Sequence, residues 1–202
     1  MPKITNVEFL EFSANHHNAS RNWLVIKLNT DNPKLFGLGD ASAMEDEDEV
    51  KSIISSWTEK YLSGKDPLES EVLWTNLYHD PHARGGRLAT TSLSGIDIAL
   101  WDLKGKILKQ PVWRLLGGSF REKIRVYANG WYTNPGAPEL NAEEAKKVVD
   151  MGYTALKFDP FGQNNYYKIS LKELDIAEKR VESVRKSVGD NIDILIEAHA
   201  KF

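Results

Sequence analysis

The chain has no cysteine in its 202 residues. That absence excludes disulfides, cysteine-ligated zinc and a thiol nucleophile, and it suits a cytoplasmic setting. There is no basic excess either. Lys and Arg number 26 against 29 Asp and Glu, a net charge of −3, which argues against a dedicated nucleic-acid surface. No apolar run approaches the ~20 residues of a membrane span. The first residues, Met1-Pro2-Lys3-Ile4, carry no apolar signal core. Neither a nucleic-acid partner nor a membrane is expected. What is present is ordinary for a folded protein: 41% hydrophobic and 27% charged residues, enough to bury a core in one large domain or two small ones.

Periodicity divides the chain. Ile4, Val7, Phe9 and Phe12 fall in one extended stretch, and Trp23 to Leu28 form a second. The turn Thr30-Asp31-Asn32-Pro33 leads to a third, Leu35 to Gly39, so an antiparallel β-unit is predicted. The polar segment Ser13 to Ser20 reads as the loop between the first two. From about residue 46, Val50, Ile53, Ile54, Trp57 and Tyr61 take helical spacing and stop at Gly64. The acidic run Glu45 to Glu49 reads as a solvated helix start, favoured by the helix dipole. The clearest helix covers roughly 88–108, where Leu93, Ile96, Leu100, Leu103 and Ile107 form one apolar stripe. Gly117-Gly118 closes this region. Beyond it the pattern alternates: strand at 124–129, helix at 139–151, strand at 154–158, a helix through Leu174, Ala177, Val181, Val184 and Val188, and strand at 192–197. Alternation with such connections predicts parallel strands covered by helices.

The last strand carries the strongest chemical signal. Ile194-Leu195-Ile196 runs into Glu197-Ala198-His199, so alternation along a strand predicts Glu197 and His199 on one face. A carboxylate ligand beside a proton donor suits metal-assisted chemistry; the plain alternative is a polar strand end. Lys157 and Asp159 share a face by the same rule, either lining the same mouth or forming a structural ion pair. Asn129 and Trp131 end the first of these strands, with packing the simpler role for Trp131. His16 and His17 are adjacent, point apart in most backbones and read as part of a solvated loop. Arg84 and Arg87, beside Gly85-Gly86, are either carboxylate binders or surface charges.

Five phrases carry a family resemblance. Ser94-Gly95-Ile96-Asp97-Ile98-Ala99-Leu100-Trp101-Asp102-Leu103-Lys104-Gly105-Lys106, followed by Pro111 to Gly118, resembles the end of the capping domain in the enolase superfamily, mandelate racemase/muconate lactonizing enzyme-like branch. Val126 to Tyr132, Gly152 to Gly162 and Asp193 to His199 are similar to archaeal gluconate/galactonate dehydratases. The resemblance implies an α+β capping domain over residues 1–118, followed over 119–202 by the first βα units of a (β/α)8-type barrel, about three strands of it. It implies a Mg2+-dependent dehydratase that converts a small sugar acid to a 2-keto-3-deoxy acid through an enediolate, and a homo-oligomer for the intact enzyme. Glu197 matches the family's first magnesium ligand, where many members carry aspartate. His199 matches the general acid of acid-sugar dehydratases. Lys157 matches the first lysine of the racemases' Lys-x-Lys pair, but Asp159 stands in the second position, which favours a dehydratase over a racemase or cycloisomerase. The family's two other metal ligands and its base have no counterpart before Phe202. The chain alone is therefore expected to be inactive, either as the N-terminal part of the enzyme or as an incomplete fragment with an interaction role.

Overall fold

The computed structural model describes the chain except residues 17–18, 44, 82–84, 135, 163–167 and 202, with backbone alone at 14–16 and 19–21. It divides into two compact units, Met1–Phe120 and Arg121–Phe202. Among the described residues no helix is long and apolar enough to cross a membrane.

In the first unit, β1 (Ile4–His16), β2 (Ala19–Thr30) and β3 (Phe36–Asp40) form an antiparallel sheet in that order. The segment expected as a polar loop is largely strand, since backbone pairing continues from Ser13↔Asn22 to His16↔Ala19. A two-stranded antiparallel ribbon can run on into water because neither face has to be apolar there. Alternation places Leu24, Ile26 and Leu28 on the inner face, all fully buried. The acidic run does open a helix, α1 (Glu47–Trp57), with Glu47, Asp48 and Glu49 in its first turn, where the dipole favours anions. It continues into a π-helical turn, Thr58–Leu62, where the Thr58 hydroxyl donates to the Ile54 carbonyl at 2.7 Å. A further helix, α2 (Ser70–Tyr78), has an apolar rhythm too weak to mark it in the sequence.

The organising element is α3 (Gly86–Leu108), whose stripe of Leu93, Ile96, Leu100 and Leu103 is buried as predicted. Its contact with β3 is backbone against backbone. A β-carbon at Gly37 would collide with the Ala99 carbonyl, one at Gly39 with the Gly95 carbonyl, and one at Gly95 with Ala41. Asp102 completes the seam, accepting from the Leu38 amide at 2.8 Å and from Lys106 at 2.6 Å. A short helix, α4 (Val112–Leu115), follows.

In the second unit β4 (Ala155–Phe158) and β5 (Asp193–Ile196) pair in parallel, joined through α6 (Leu171–Val188), with α5 (Pro138–Asp150) ahead of them. Ser170 and Glu173 form a capping box at the start of α6, satisfying two otherwise unpaired amides. Ala145, Val148, Leu156, Phe158, Val184 and Ile192 make the core. The strand expected at 124–129 is reduced to one parallel bridge, Ala128↔Leu156. Its apolar residues Ile124 and Val126 are 77% and 63% exposed, and only Ala128 is buried against the core. The Arg125 guanidinium also fastens it, donating to Asp193 at 2.6 Å and to the Thr154 carbonyl at 2.8 Å.

Candidate functional site

Parallel pairing sets the carboxyl ends of β4 and β5 side by side, with Phe158 opposite Ile196. One more ladder bond, from the Glu197 amide to the Phe158 carbonyl at 2.9 Å, brings Glu197 level with that end. The Lys157 ammonium donates to Glu197 Oε2 at 2.9 Å. The His199 amide donates to Glu197 Oε1 at 2.9 Å. The Lys157 bond, then the His199 amide, hold the Glu197 carboxyl down at about 2, so it is ionised at any ordinary pH. Its partner moves the other way: the Glu197 carboxylate raises Lys157 above the usual lysine value.

A second, deeper cluster lies on Asp159. Its Oδ2 accepts from His199 Nδ1 at 2.8 Å and from Lys201 Nζ at 2.7 Å, while Oδ1 accepts the Phe161 amide at 2.8 Å. Lys201 also donates to the Gly162 carbonyl at 2.5 Å. The Asp159 side chain is 1% exposed and that of Lys201 4%, whereas the His199 ring is 53% exposed. Burial pushes the Asp159 carboxyl up, but the bonds from Lys201, His199 and the Phe161 amide outweigh it, and the net displacement is downward. Asp159 is a buried carboxylate.

Lys157 and Asp159 therefore form ion pairs, with Glu197 and with Lys201 respectively. The alternation expected for Glu197 and His199 does not apply, because β5 ends at Ile196. His199 and Ala200 both take left-handed backbone, φ 49° and 52°, in a turn closed by the Lys201 amide on the Ala198 carbonyl at 3.0 Å. Successive non-glycine residues in that region are strained and persist where surroundings hold them. Here the holding bonds are those of Glu197 and Asp159. Lys201 was missed, although Glu197-x-His199-x-Lys201 repeats every second residue and the signal was available.

Elsewhere the candidates separate. Asn129 is exposed. Trp131 packs against Tyr132 and Phe158, with its indole Nε1 buried and without a partner among the described residues. Arg87 donates to the Ala43 carbonyl at 2.6 Å and pairs with Asp46, tying down the start of α3. His16 belongs to β1, while His17 and Arg84 lie outside the described residues. Among the described residues no group of three or more His, Asp or Glu side chains could hold a metal ion.

The family model for the mandelate racemase / muconate lactonizing enzyme N-terminal domain matches residues 11–117. The chain belongs to the mandelate racemase/muconate lactonizing enzyme family. Within it, the D-gluconate dehydratase of Thermoproteus tenax is 45% identical over 146 residues, covering 72% of this chain and 29% of that protein. The D-gluconate/D-galactonate dehydratase of Picrophilus torridus is 46% identical over 114 residues, covering 56% and 29%. Among solved structures, a member of the enolase superfamily from Salmonella Typhimurium aligns with TM-score 0.87 at 30% identity, over all of this chain and 56% of that one. A mandelate racemase/muconate lactonizing enzyme from a Sulfitobacter species aligns with TM-score 0.87 at 27% identity, over all of this chain and 54% of that one. The chain thus spans less than a third of the two dehydratases it matches and a little over half of the solved chains.

Proposed function

We propose that this chain supplies part of the active site of a magnesium-dependent sugar-acid dehydratase, with residues 119–202 as the first βα units of a (β/α)8-type barrel. In such barrels catalysis sits at the carboxyl ends of the strands, the position of Glu197, His199 and Asp159. The observation that carries the reading is the Asp159–His199 contact beside the Glu197 carboxylate, at the ends of two adjacent parallel strands.

Glu197 fits one position of a magnesium shell. It is a hard oxygen donor, ionised and partly open to solvent, and magnesium is commonly held by one or two carboxylates plus water and substrate oxygens. The rest of the shell then comes from outside the described residues. A bound magnesium ion would draw charge from the substrate carboxylate and acidify the neighbouring C–H. Lys157, cationic at the same mouth, is placed to attract the acid's negative charge. His199 acts as general acid on the departing hydroxyl. The base that removes the α-proton is assigned outside these residues, since Lys157 is paired with Glu197 at 2.9 Å and Asp159 is a buried carboxylate that already holds three donors. That burial and pairing of Asp159 speak against a racemase, which would need a base in the Asp159 position.

The test is a chimaera in which this chain replaces the matching part of the Thermoproteus tenax enzyme, assayed with gluconate and galactonate for keto-acid release. Activity that falls with both Glu197→Gln and His199→Asn supports the reading. Activity indifferent to both contradicts it.

A further inference from the structure

Resting on that reading, which makes His199 the acid, the geometry points to the buried Asp159–Lys201 ion pair as the device that sets which ring nitrogen of His199 faces the substrate. Asp159 Oδ2 receives His199 Nδ1 at 2.8 Å and is itself pinned by Lys201 at 2.7 Å. An ionised carboxylate is only an acceptor, so the nitrogen that meets it carries a hydrogen. The neutral imidazole is thereby held as the Nδ1–H tautomer. Nε2 is left as the nitrogen without a partner among the described residues, on a ring that is half exposed.

Asp159 has no freedom to do otherwise. Its second oxygen holds the Phe161 amide, and Lys201 extends to the Gly162 carbonyl, so the loop after β4 and the turn after β5 are fastened at one point. Lys201 also neutralises a carboxylate that would be costly to bury alone. The left-handed backbone at His199 and Ala200 brings Lys201 round to this position. Asp159 and Lys201 are positioning residues: Asp159 touches the acid, and Lys201 acts through Asp159.

The step then balances simply. The Nε2–H bond of the imidazolium breaks and the proton goes to the departing hydroxyl. The electron pair left at the α-carbon by removal of its proton forms the C=C bond of an enol as the C–O bond breaks with its own pair on oxygen, and water leaves. His199 is left neutral with Nδ1–H still on Asp159. The arrangement follows the logic by which a buried carboxylate orients a catalytic histidine without itself taking the proton.

The test reads the tautomer directly, in the 202-residue chain labelled with ¹⁵N. Long-range ¹H–¹⁵N correlation at a pH where histidine is neutral distinguishes the protonated from the bare ring nitrogen, and His199→Gln assigns the signal. The expected result is Nδ1 protonated and Nε2 bare. Asp159→Asn should lose that preference, and Asp159→Glu should recover it in part. In the chimaera Asp159→Asn should lower kcat by about 10²-fold with KM little changed, at the low end of a lost general acid. Lys201→Arg, which keeps the charge, should act more weakly than Lys201→Met. A neutral His199 protonated on Nε2 in the unaltered chain overturns the inference whatever the chimaera does, and needs no variant to fold. Dehydration indifferent to His199→Asn overturns instead the reading on which the inference rests, while the tautomer stands unchanged.

Discussion

The two units solve the problem of burial differently. In Met1–Phe120 the sheet is covered by α1 and α3, with α2 packed on α3, and Leu24, Ile26, Leu28, Ile54, Leu77, Ile96 and Leu100 are all fully buried. In Arg121–Phe202 two four-residue strands have only a partial cover. Leu195 and Ile196 of β5 are 36% and 46% exposed, and Ile194, Ile196, Phe161, Leu174, Ala177 and Val181 line an open apolar groove. The ionic groups follow the same division. Those of the first unit lie mainly on its surface, whereas the second buries Asp159 and Lys201 as a pair. The first unit gains its stability from a closed core; the second has a smaller apolar core and adds a buried ion pair beside the site. Local chemistry should therefore perturb the second unit strongly, and apolar truncation the first.

The largest effect should come from Asp159→Ala, which leaves Lys201 buried without its carboxylate. Breaking a buried pair from one side typically costs about 3–5 kcal/mol. Hydrogen exchange should show the loss in α5, α6 and β4, with α3 unaffected. The counterpart in the first unit is Leu100→Ala, expected to cost about 2–5 kcal/mol for a fully buried leucine and to act on α1, α3 and the sheet. Next in size is Gly39→Ala, which forces a methyl into the Gly95 carbonyl and should cost about 1–3 kcal/mol as an overpacked contact. Acid should then separate the units. The Asp159 carboxyl lies below its ordinary value in the folded state, so its contribution is fully present above the unfolded value of ~3.9 and is lost as pH falls through the lower folded one. Asp159→Asn should flatten that acid limb in the second unit alone. The smallest effect belongs to Ile196→Ser, already half in water, which should change stability by less than about 0.5 kcal/mol in thermal or denaturant unfolding.

Much of this was legible from residue order. The stripe from Leu93 to Leu103 is the kind of pattern periodicity reads well, because one helix face meets one core. Gly37, Gly39 and Gly95 are different: their spacing is visible, but only the packed structure shows that α3 and β3 touch through their backbones. The weak rhythm of α2 hid a helix whose shape comes from contacts with α3 and the π-turn. The segment at 124–129 has the alternation of a strand, yet pairing depends on partners elsewhere, and only Ala128 has one. At the site, residue types and the strand end were readable, since Glu197 and Lys157 follow from register. The turn after Ile196 was not, because left-handed backbone at His199 and Ala200 depends on bonds to Glu197 and Asp159 that no local rule supplies. Lys201 is visible in the Glu197-x-His199-x-Lys201 repeat, but its bond to Asp159 depends on that same turn.

On the proposed reading, the ends of β4 and β5 carry the acid half of a dehydratase and not its base. In the chimaera with the Thermoproteus tenax enzyme, one measurement separates the halves: deuterium uptake from solvent at the substrate α-carbon, followed alongside keto-acid release in His199→Asn. The account predicts that exchange persists while release falls by roughly 10²–10⁴-fold. Release at the unaltered rate, or exchange lost in step with it, would contradict the assignment of His199.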